Sequence, residues 1–181
     1  MKLIGIAGHS GSGKTTLIEK PIALLNGQGL RVSVLKHAHH DVDVDRPGKD
    51  SYRHRQAGAA EVLLAAGARW ALLHELCGER EPTLAECASR FSRCGLILVE
   101  GFEQEAIPRI EVHRPLLGRP LLWPDDAHVA AVASDAPPVA ELPARIAWLD
   151  LDDVPAIARF IVDPWGFWQS AGEEGASDAL C

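Results

Sequence analysis

The stretch Leu3-Ile4-Gly5-Ile6-Ala7-Gly8-His9-Ser10-Gly11-Ser12-Gly13-Lys14-Thr15-Thr16 decides the fold. Its apolar beginning reads as a first buried strand, after which the chain runs Gly, four residues, then Gly-Lys-Thr. That is the pattern of a phosphate-binding loop, in which glycines let backbone N–H groups turn toward phosphate oxygens. Lys14 is spaced to reach the β- and γ-phosphates, and the Thr15 hydroxyl to hold Mg²⁺. Thr16-Leu17-Ile18-Glu19-Lys20 continue as a helix whose N-terminal dipole adds to the anion site. Strand, loop, lysine and helix in this order predict a bound nucleoside triphosphate with Mg²⁺. The residues expected to hold it are Gly8, Gly11, Ser12, Gly13, Lys14, Thr15 and Thr16, with Lys14 also a catalytic candidate.

At 181 residues the chain is long enough to bury most of its apolar surface without disulfides. Cys77, Cys87, Cys94 and Cys181 show no Cys-x-x-Cys spacing, so they read as reduced thiols. No apolar run approaches bilayer length, and the first residues are strand rather than a leader, which predicts a soluble, cytoplasmic chain without membrane partners. A formal charge of −7 argues against broad binding to nucleic acid.

Beyond the phosphate loop, Leu17, Ile18, Ile22, Leu24 and Leu25 keep a helical period up to Gly27-Gln28-Gly29, a glycine stop. Pro21 within it removes a backbone donor, at a cost of about 3 kcal/mol in a helix interior, and predicts a kink. Residues 31–36 read as a second strand, paired parallel to the first through a right-handed crossover. Residues 37–50 form a polar loop without apolar period, after which Asp50 or Ser51 is placed to cap a short helix. Short strands are predicted over 61–65 and 69–73, turning at Gly67. Thr83 and Glu86 form a capping box for a helix through Phe91. Gly95-Leu96-Ile97-Leu98-Val99 reads as a fully buried strand. Further strands are predicted over 107–113, 128–133 and 146–149, and a final helix over 154–162. Such alternation predicts an α/β fold of the P-loop NTPase type, a mostly parallel, doubly wound sheet with helices on both faces. One nucleotide-binding domain is expected over 1–162, followed by a flexible tail over 163–181.

Glu100 closes the most apolar strand, where an acid in a P-loop fold can hold a water of the Mg²⁺ shell; it could equally orient a water or cap the strand. Gly101 lets the backbone pass close to a γ-phosphate. Asp41, Asp43 and Asp45 follow the second strand at the carboxyl edge where open α/β sheets bind ligands, and so are candidates to approach the metal, against the alternative of a solvated loop. The imidazoles of His37, His39 and His40 have no second Cys or His cluster to complete a transition-metal site. Arg46, Lys49, Arg53 and Arg55 suit an anionic ligand, with Arg53 and Arg55 alternatively read as exposed helix charges. Asp135 ends the strand that contains Val129-Ala130-Ala131-Val132-Ala133-Ser134. Its carboxylate could accept the two adjacent N–H donors of guanine, a pair adenine lacks, or simply make a turn before Pro137-Pro138. No glutamine or arginine is obviously placed to speed phosphate hydrolysis. Two alternatives stay open: a small-molecule kinase with Arg109, Arg114 and Arg119 as a lid, and a nucleotide-switched interaction module.

The phosphate loop, the string from Leu35 through His37-Ala38-His39-His40-Asp41-Val42-Asp43-Val44-Asp45-Arg46-Pro47-Gly48-Lys49-Asp50-Ser51-Tyr52, then Ala57-Gly58-Ala59, Leu98-Val99-Glu100-Gly101-Phe102 and Val132-Ala133-Ser134-Asp135 together resemble the MobB family of molybdopterin-guanine dinucleotide biosynthesis. The long His/Asp/Pro-Gly-Lys-Asp-Ser string is the specific part, and the resemblance runs to about Val162. It implies a GTP-binding accessory protein with weak GTPase activity and a homodimer. Its implied partner is a MobA-type nucleotidyltransferase that attaches GMP to molybdopterin, with molybdopterin itself a further candidate ligand. It also implies Gly11, Gly13, Lys14, Thr15 and Thr16 as the phosphate and Mg²⁺ site, with Glu100 and Gly101 as an acid-glycine pair. Pro21 and the tail after Asp163 depart from the family pattern.

Overall fold

The computed structural model describes residues 1–38, 44–138 and 142–163. In chain order its elements are β1 (Lys2–Ala7), α1 (Lys14–Gly27), β2 (Val32–Lys36), α2 (Asp50–Gln56), β3 (Glu61–Ala66), β4 (Arg69–His74) and α3 (Leu84–Ser89). After these come β5 (Leu96–Glu100), β6 (Arg109–His113), a 3-10 turn (Pro115–Leu117), β7 (Val129–Ser134), β8 (Ala147–Asp150) and α4 (Val154–Val162). Six strands form one sheet in the order β2-β5-β1-β6-β7-β8, with every neighbouring pair parallel. The chain thus starts in the middle of the sheet and winds outward on both sides, which is the doubly wound α/β fold of P-loop proteins.

Central strands of a parallel sheet are covered on both sides, and β5, Leu-Ile-Leu-Val-Glu, accordingly buries both its alternating sets. Leu96 and Leu98 join Ile4, Ile6, Ile110, Val112, Ala131, Ala133 and Leu149 beneath α1 and α4, whose Leu17, Leu25, Ile157, Phe160 and Ile161 complete that core. Leu35, Ile97 and Val99 lie on the other face and are buried as well. Helix α1 continues through the buried Pro21 and stops as expected at the glycines, with the N–H of Leu30 donating to the carbonyl of Leu25 at 3.1 Å and Gly29 at φ 83°.

The opposite face of β6 is unusual. Arg109 and Glu111, two residues apart and therefore on one side of the strand, are 2% and 0% exposed. Arg109 donates to both carboxylate oxygens of Asp126 at 2.9 and 3.1 Å, and to the carbonyls of Phe102, Glu103 and Glu105. Glu111 accepts the backbone N–H groups of Leu122 and Trp123 at 2.7 and 3.0 Å. These two charges hold the connecting segments against the sheet. Gly5 of β1 makes room for them, because a Cβ there would stand 2.8 Å from Arg109 Cγ. Burial raises the Glu111 carboxyl above the ordinary carboxylate value, with the two N–H bonds pulling it partly back. The folded protein therefore holds that proton more tightly than the unfolded chain, and Glu111 favours folding less as pH rises past the ordinary carboxylate range.

The chain divides into two compact units, one of Met1–His37 with the chain from Cys87 onward, the other Ala38–Glu86. The segment between β2 and α3 has its contacts chiefly within itself. In this second unit β3 and β4 form an antiparallel hairpin and α2 packs against β3. Arg55 joins the helix to its surroundings: it pairs with Asp45 at 2.9 Å and Glu75 at 3.3 Å, and its guanidinium lies 5.5 Å from the Tyr52 ring centroid. Neither Asp50 nor Ser51 caps α2. Lys49 is its N-cap, without a side-chain bond, and Asp50 is already the first helical residue. The Thr83–Glu86 capping box is present, with the Thr83 N–H donating to Glu86 Oε2 at 2.8 Å and the Glu86 N–H to Thr83 Oγ1 at 3.3 Å. The helix it starts ends at Ser89, short of Phe91. Cys77, Cys87 and Cys94 form no disulfide. Among the described residues no helix is long and apolar enough to cross a membrane. Residues 164–181, most of the expected tail, lie outside the described residues.

Arg109→Ala removes one partner of a buried pair and leaves Asp126 and the bound carbonyls unsatisfied, so a loss of about 3 kcal/mol or more is expected in denaturant unfolding. Glu86 provides a pH readout. Its bond to Arg80, then its bonds to Thr83, hold the carboxyl down at about 2. A lowered carboxyl stabilises the fold above the ordinary value of 4.5 and loses that contribution as pH falls through about 2. NMR titration should therefore find the Glu86 midpoint near 2, and Arg80→Ala should move it upward toward 4.5.

Candidate functional site

The residues between β1 and α1 fold into a tight loop at the carboxyl edge of the sheet. Gly8, Gly11 and Gly13 take φ values of 140°, 80° and 99°, a region L side chains rarely enter. At Gly8 space is also lacking, since a Cβ would lie 2.6 Å from the Val112 carbonyl oxygen on neighbouring β6. Gly13 is the N-cap of α1 and makes no side-chain cap bond, and the first turn of the helix has no acid. The helix dipole and the first N–H groups are therefore left for an anion. Lys14 bends back over the loop and donates to the carbonyls of Gly8 and His9 at 2.7 and 3.2 Å. Thr15 and Thr16 are exposed on the first turn, while Ser12 is buried and its Oγ has no hydrogen-bond partner. A cradle of glycines, an uncapped helix start, an ammonium and an orphaned hydroxyl fit the phosphate chain of a nucleotide.

Glu100 stands at the end of β5, in register with Ile6 of β1 and Lys36 of β2, so it flanks the strand that leads into the loop. Its carboxylate is 14% exposed, with the Lys36 ammonium 3.6 Å away. Among the described residues no three His, Cys, Asp or Glu side chains converge as a metal-binding group. Gly101 has φ 90°, and its close neighbour is His37, whose Cβ would lie 2.7 Å from a Cβ at position 101. His37 in turn stacks on Phe102 with ring centroids 4.5 Å apart, and its N–H donates to the Glu100 carbonyl at 2.8 Å. The demand for glycine at 101 thus comes from the end of β2.

Arg114, weighed from sequence only as part of a lid, lies against the phosphate loop. Its Nε donates to the Ser12 carbonyl at 2.9 Å and its Nη1 to Asp135 Oδ2 at 2.5 Å. His9 Nε2 donates to the Pro120 carbonyl at 2.9 Å, which ties the same loop to the segment after β6. Neither contact has a local signal in the sequence, because both depend on β6 being the neighbour of β1. Arg109, the first arginine of the supposed lid, is buried in its ion pair and unavailable as a moving group, and residues 109–113 are strand. The kinase alternative loses its structural support.

Two other candidates, Asp41 and Asp43, lie outside the described residues. Asp45 belongs to the second unit, where its carboxylate is bound by Arg55. Arg55 is correspondingly a structural ion-pair partner, neither a free anion ligand nor an exposed helix charge, whereas Arg46, Lys49 and Arg53 are exposed.

Comparison with known proteins agrees with this arrangement. The model of the MobB family, molybdopterin guanine dinucleotide synthesis protein B, matches residues 3–135, from β1 to the acid after β7. The molybdopterin-guanine dinucleotide biosynthesis adapter protein of Escherichia coli (strain K12) is 48% identical over 164 residues, which cover 89% of this chain and 91% of that protein. The adapter protein of the same description from Haemophilus influenzae (strain ATCC 51907 / DSM 11121 / KW20 / Rd) is 46% identical over 162 residues, 88% of this chain and 86% of its own length. A crystal structure of molybdopterin-guanine biosynthesis protein B matches with a TM-score of 0.68 at 28% identity, covering 90% of this chain and 99% of that one. A match that begins at the first buried strand and carries the whole phosphate loop, with identity near one half over most of both chains, means that this chain belongs to the MobB family.

Proposed function

We propose that this chain binds GTP with Mg²⁺ and serves as the adapter for a MobA-type nucleotidyltransferase that joins GMP to molybdopterin in the cytoplasm. The observation that carries the proposal is the phosphate cradle at the start of α1, where Gly8 cannot be replaced without collision and the helix has no cap of its own. The N–H groups of the loop and of Thr15 and Thr16 would take the phosphate oxygens, and Lys14 would exchange its two loop carbonyls for the β- and γ-phosphates. Thr15, with Glu100 acting through water, would hold Mg²⁺, which would supply positive charge against that of the phosphates. Asp41 and Asp43 remain candidates for the same ion. Asp135, the residue the sequence offers for the base, is engaged through Oδ2 by Arg114.

Slow hydrolysis accompanies this reading. The arginine beside the loop is held through Nε by the Ser12 carbonyl and through Nη1 by Asp135, so it is a fixed group and not one free to swing onto a leaving phosphate. A partner's side chain would be needed for fast turnover.

Self-association is supported by the hairpin. Leu63 pairs with Leu72 and Ala65 with Trp70, which places Leu63, Leu72 and Trp70 on one face, and they are 61%, 42% and 68% exposed. Apolar side chains gathered on a two-stranded ribbon call for a cover, and such a ribbon is barely stable alone. A second copy of this chain presents the same ribbon and can pair with it symmetrically.

Lys14→Ala should weaken GTP binding at least about tenfold and abolish the rise in melting temperature that GTP produces in the unsubstituted protein. Trp70→Glu should shift the particle mass from dimer to monomer in light scattering while GTP still binds.

A further inference from the structure

We propose that Arg114 is a positioning residue for the triphosphate and that Asp135 acts through it. The proposal rests on the GTP reading above. Strands β1 and β6 are parallel neighbours, with Ala7 in register with Glu111, and β7 lies beside β6, with His113 in register with Ser134. The chain therefore leaves β6 at Arg114 between two turns, the phosphate loop after β1 and the Asp135 turn after β7. One guanidinium spans them: Nε donates to the Ser12 carbonyl at 2.9 Å and Nη1 to Asp135 Oδ2 at 2.5 Å. The rest of the group lies close against Gly13, where a Cβ would be 3.4 Å from Nη2 and 3.5 Å from Nε. Glycine at 13 is required by its φ of 99°, and the guanidinium lies at ordinary contact distance from it.

The Ser12 carbonyl and the Gly13 N–H belong to one peptide unit. In a phosphate loop the N–H groups face the anion and the carbonyls face away. A cation donating to the Ser12 carbonyl fixes the plane of that peptide and polarises it, which makes the Gly13 N–H a stronger donor to phosphate. Asp135 holds the guanidinium in the required orientation with a charge-assisted bond. The two side chains are 37% and 30% exposed, so neither is freely solvated. Asp135 thereby affects every ligand that places phosphate on the loop, whatever its base.

The test is calorimetric binding of GTP, ITP, XTP and inorganic tripolyphosphate, each with Mg²⁺, to the full chain and to Arg114→Gln, Arg114→Lys and Asp135→Asn. Arg114→Gln and Asp135→Asn should each weaken GTP, ITP and tripolyphosphate by the same factor, about tenfold, as for loss of one charge-assisted bond. Arg114→Lys, which keeps the charge but lacks the fork, should recover part of that loss. The Gly13 amide proton should move upfield in Arg114→Gln, and thermal unfolding of each variant verifies that it is folded. Asp135→Asn that gains XTP and leaves tripolyphosphate unchanged would overturn the proposal in favour of direct base reading. Unchanged tripolyphosphate affinity in folded Arg114→Gln would overturn it too. If the unsubstituted chain binds neither GTP nor tripolyphosphate, the nucleotide reading itself fails, an outcome separable from the other two because no substitution is involved.

Discussion

Strand β6 carries two charges, Arg109 and Glu111, on a face that water does not reach. Taking such groups out of water costs several kcal/mol each unless their bonds are made good, so they impose a condition on everything around them. Asp126 and the carbonyls of Phe102, Glu103 and Glu105 must come to Arg109, and the N–H groups of Leu122 and Trp123 must come to Glu111. The segments on either side of β6 are thereby held against the sheet where an apolar contact would allow sliding. The same strand delivers the Val112 carbonyl to Gly8 and the Arg114 guanidinium to Ser12. The phosphate loop is thus shaped by its neighbour in the sheet as much as by its own glycines.

The second unit is built on a different principle. It lacks a long apolar core: β3 and β4 are mostly exposed, and Arg55, Asp45 and Glu75 supply a polar connection where the first unit uses leucine and isoleucine. Inserted between β2 and α3, it leaves the order of the parallel sheet untouched.

Local patterns were legible in the amino-acid sequence. The spacing from Gly8 to Thr15, the glycine stop after α1, the capping box at Thr83 and the apolar β5 each depend on residues a few positions apart, and each stands where the pattern puts it. What escaped depends on partners distant along the chain. Arg109 and Glu111 alternate with Ile110 and Val112 as in a strand with one wet face, and only the segments folded over that face bury them. Arg114 looks like one basic residue among several until β6 is known to adjoin β1. Asp50 resembles a cap, but the helix begins one residue too early for that role.

Lys14 folds back onto the carbonyls of Gly8 and His9, so the ammonium already occupies the loop it serves. One cation thereby joins two carbonyls of the same turn, and part of the side chain's rotamer freedom is spent on holding that turn. A phosphate that took over those bonds would exchange one oxygen partner for another on the ammonium, and would meet a loop whose lysine is already drawn in.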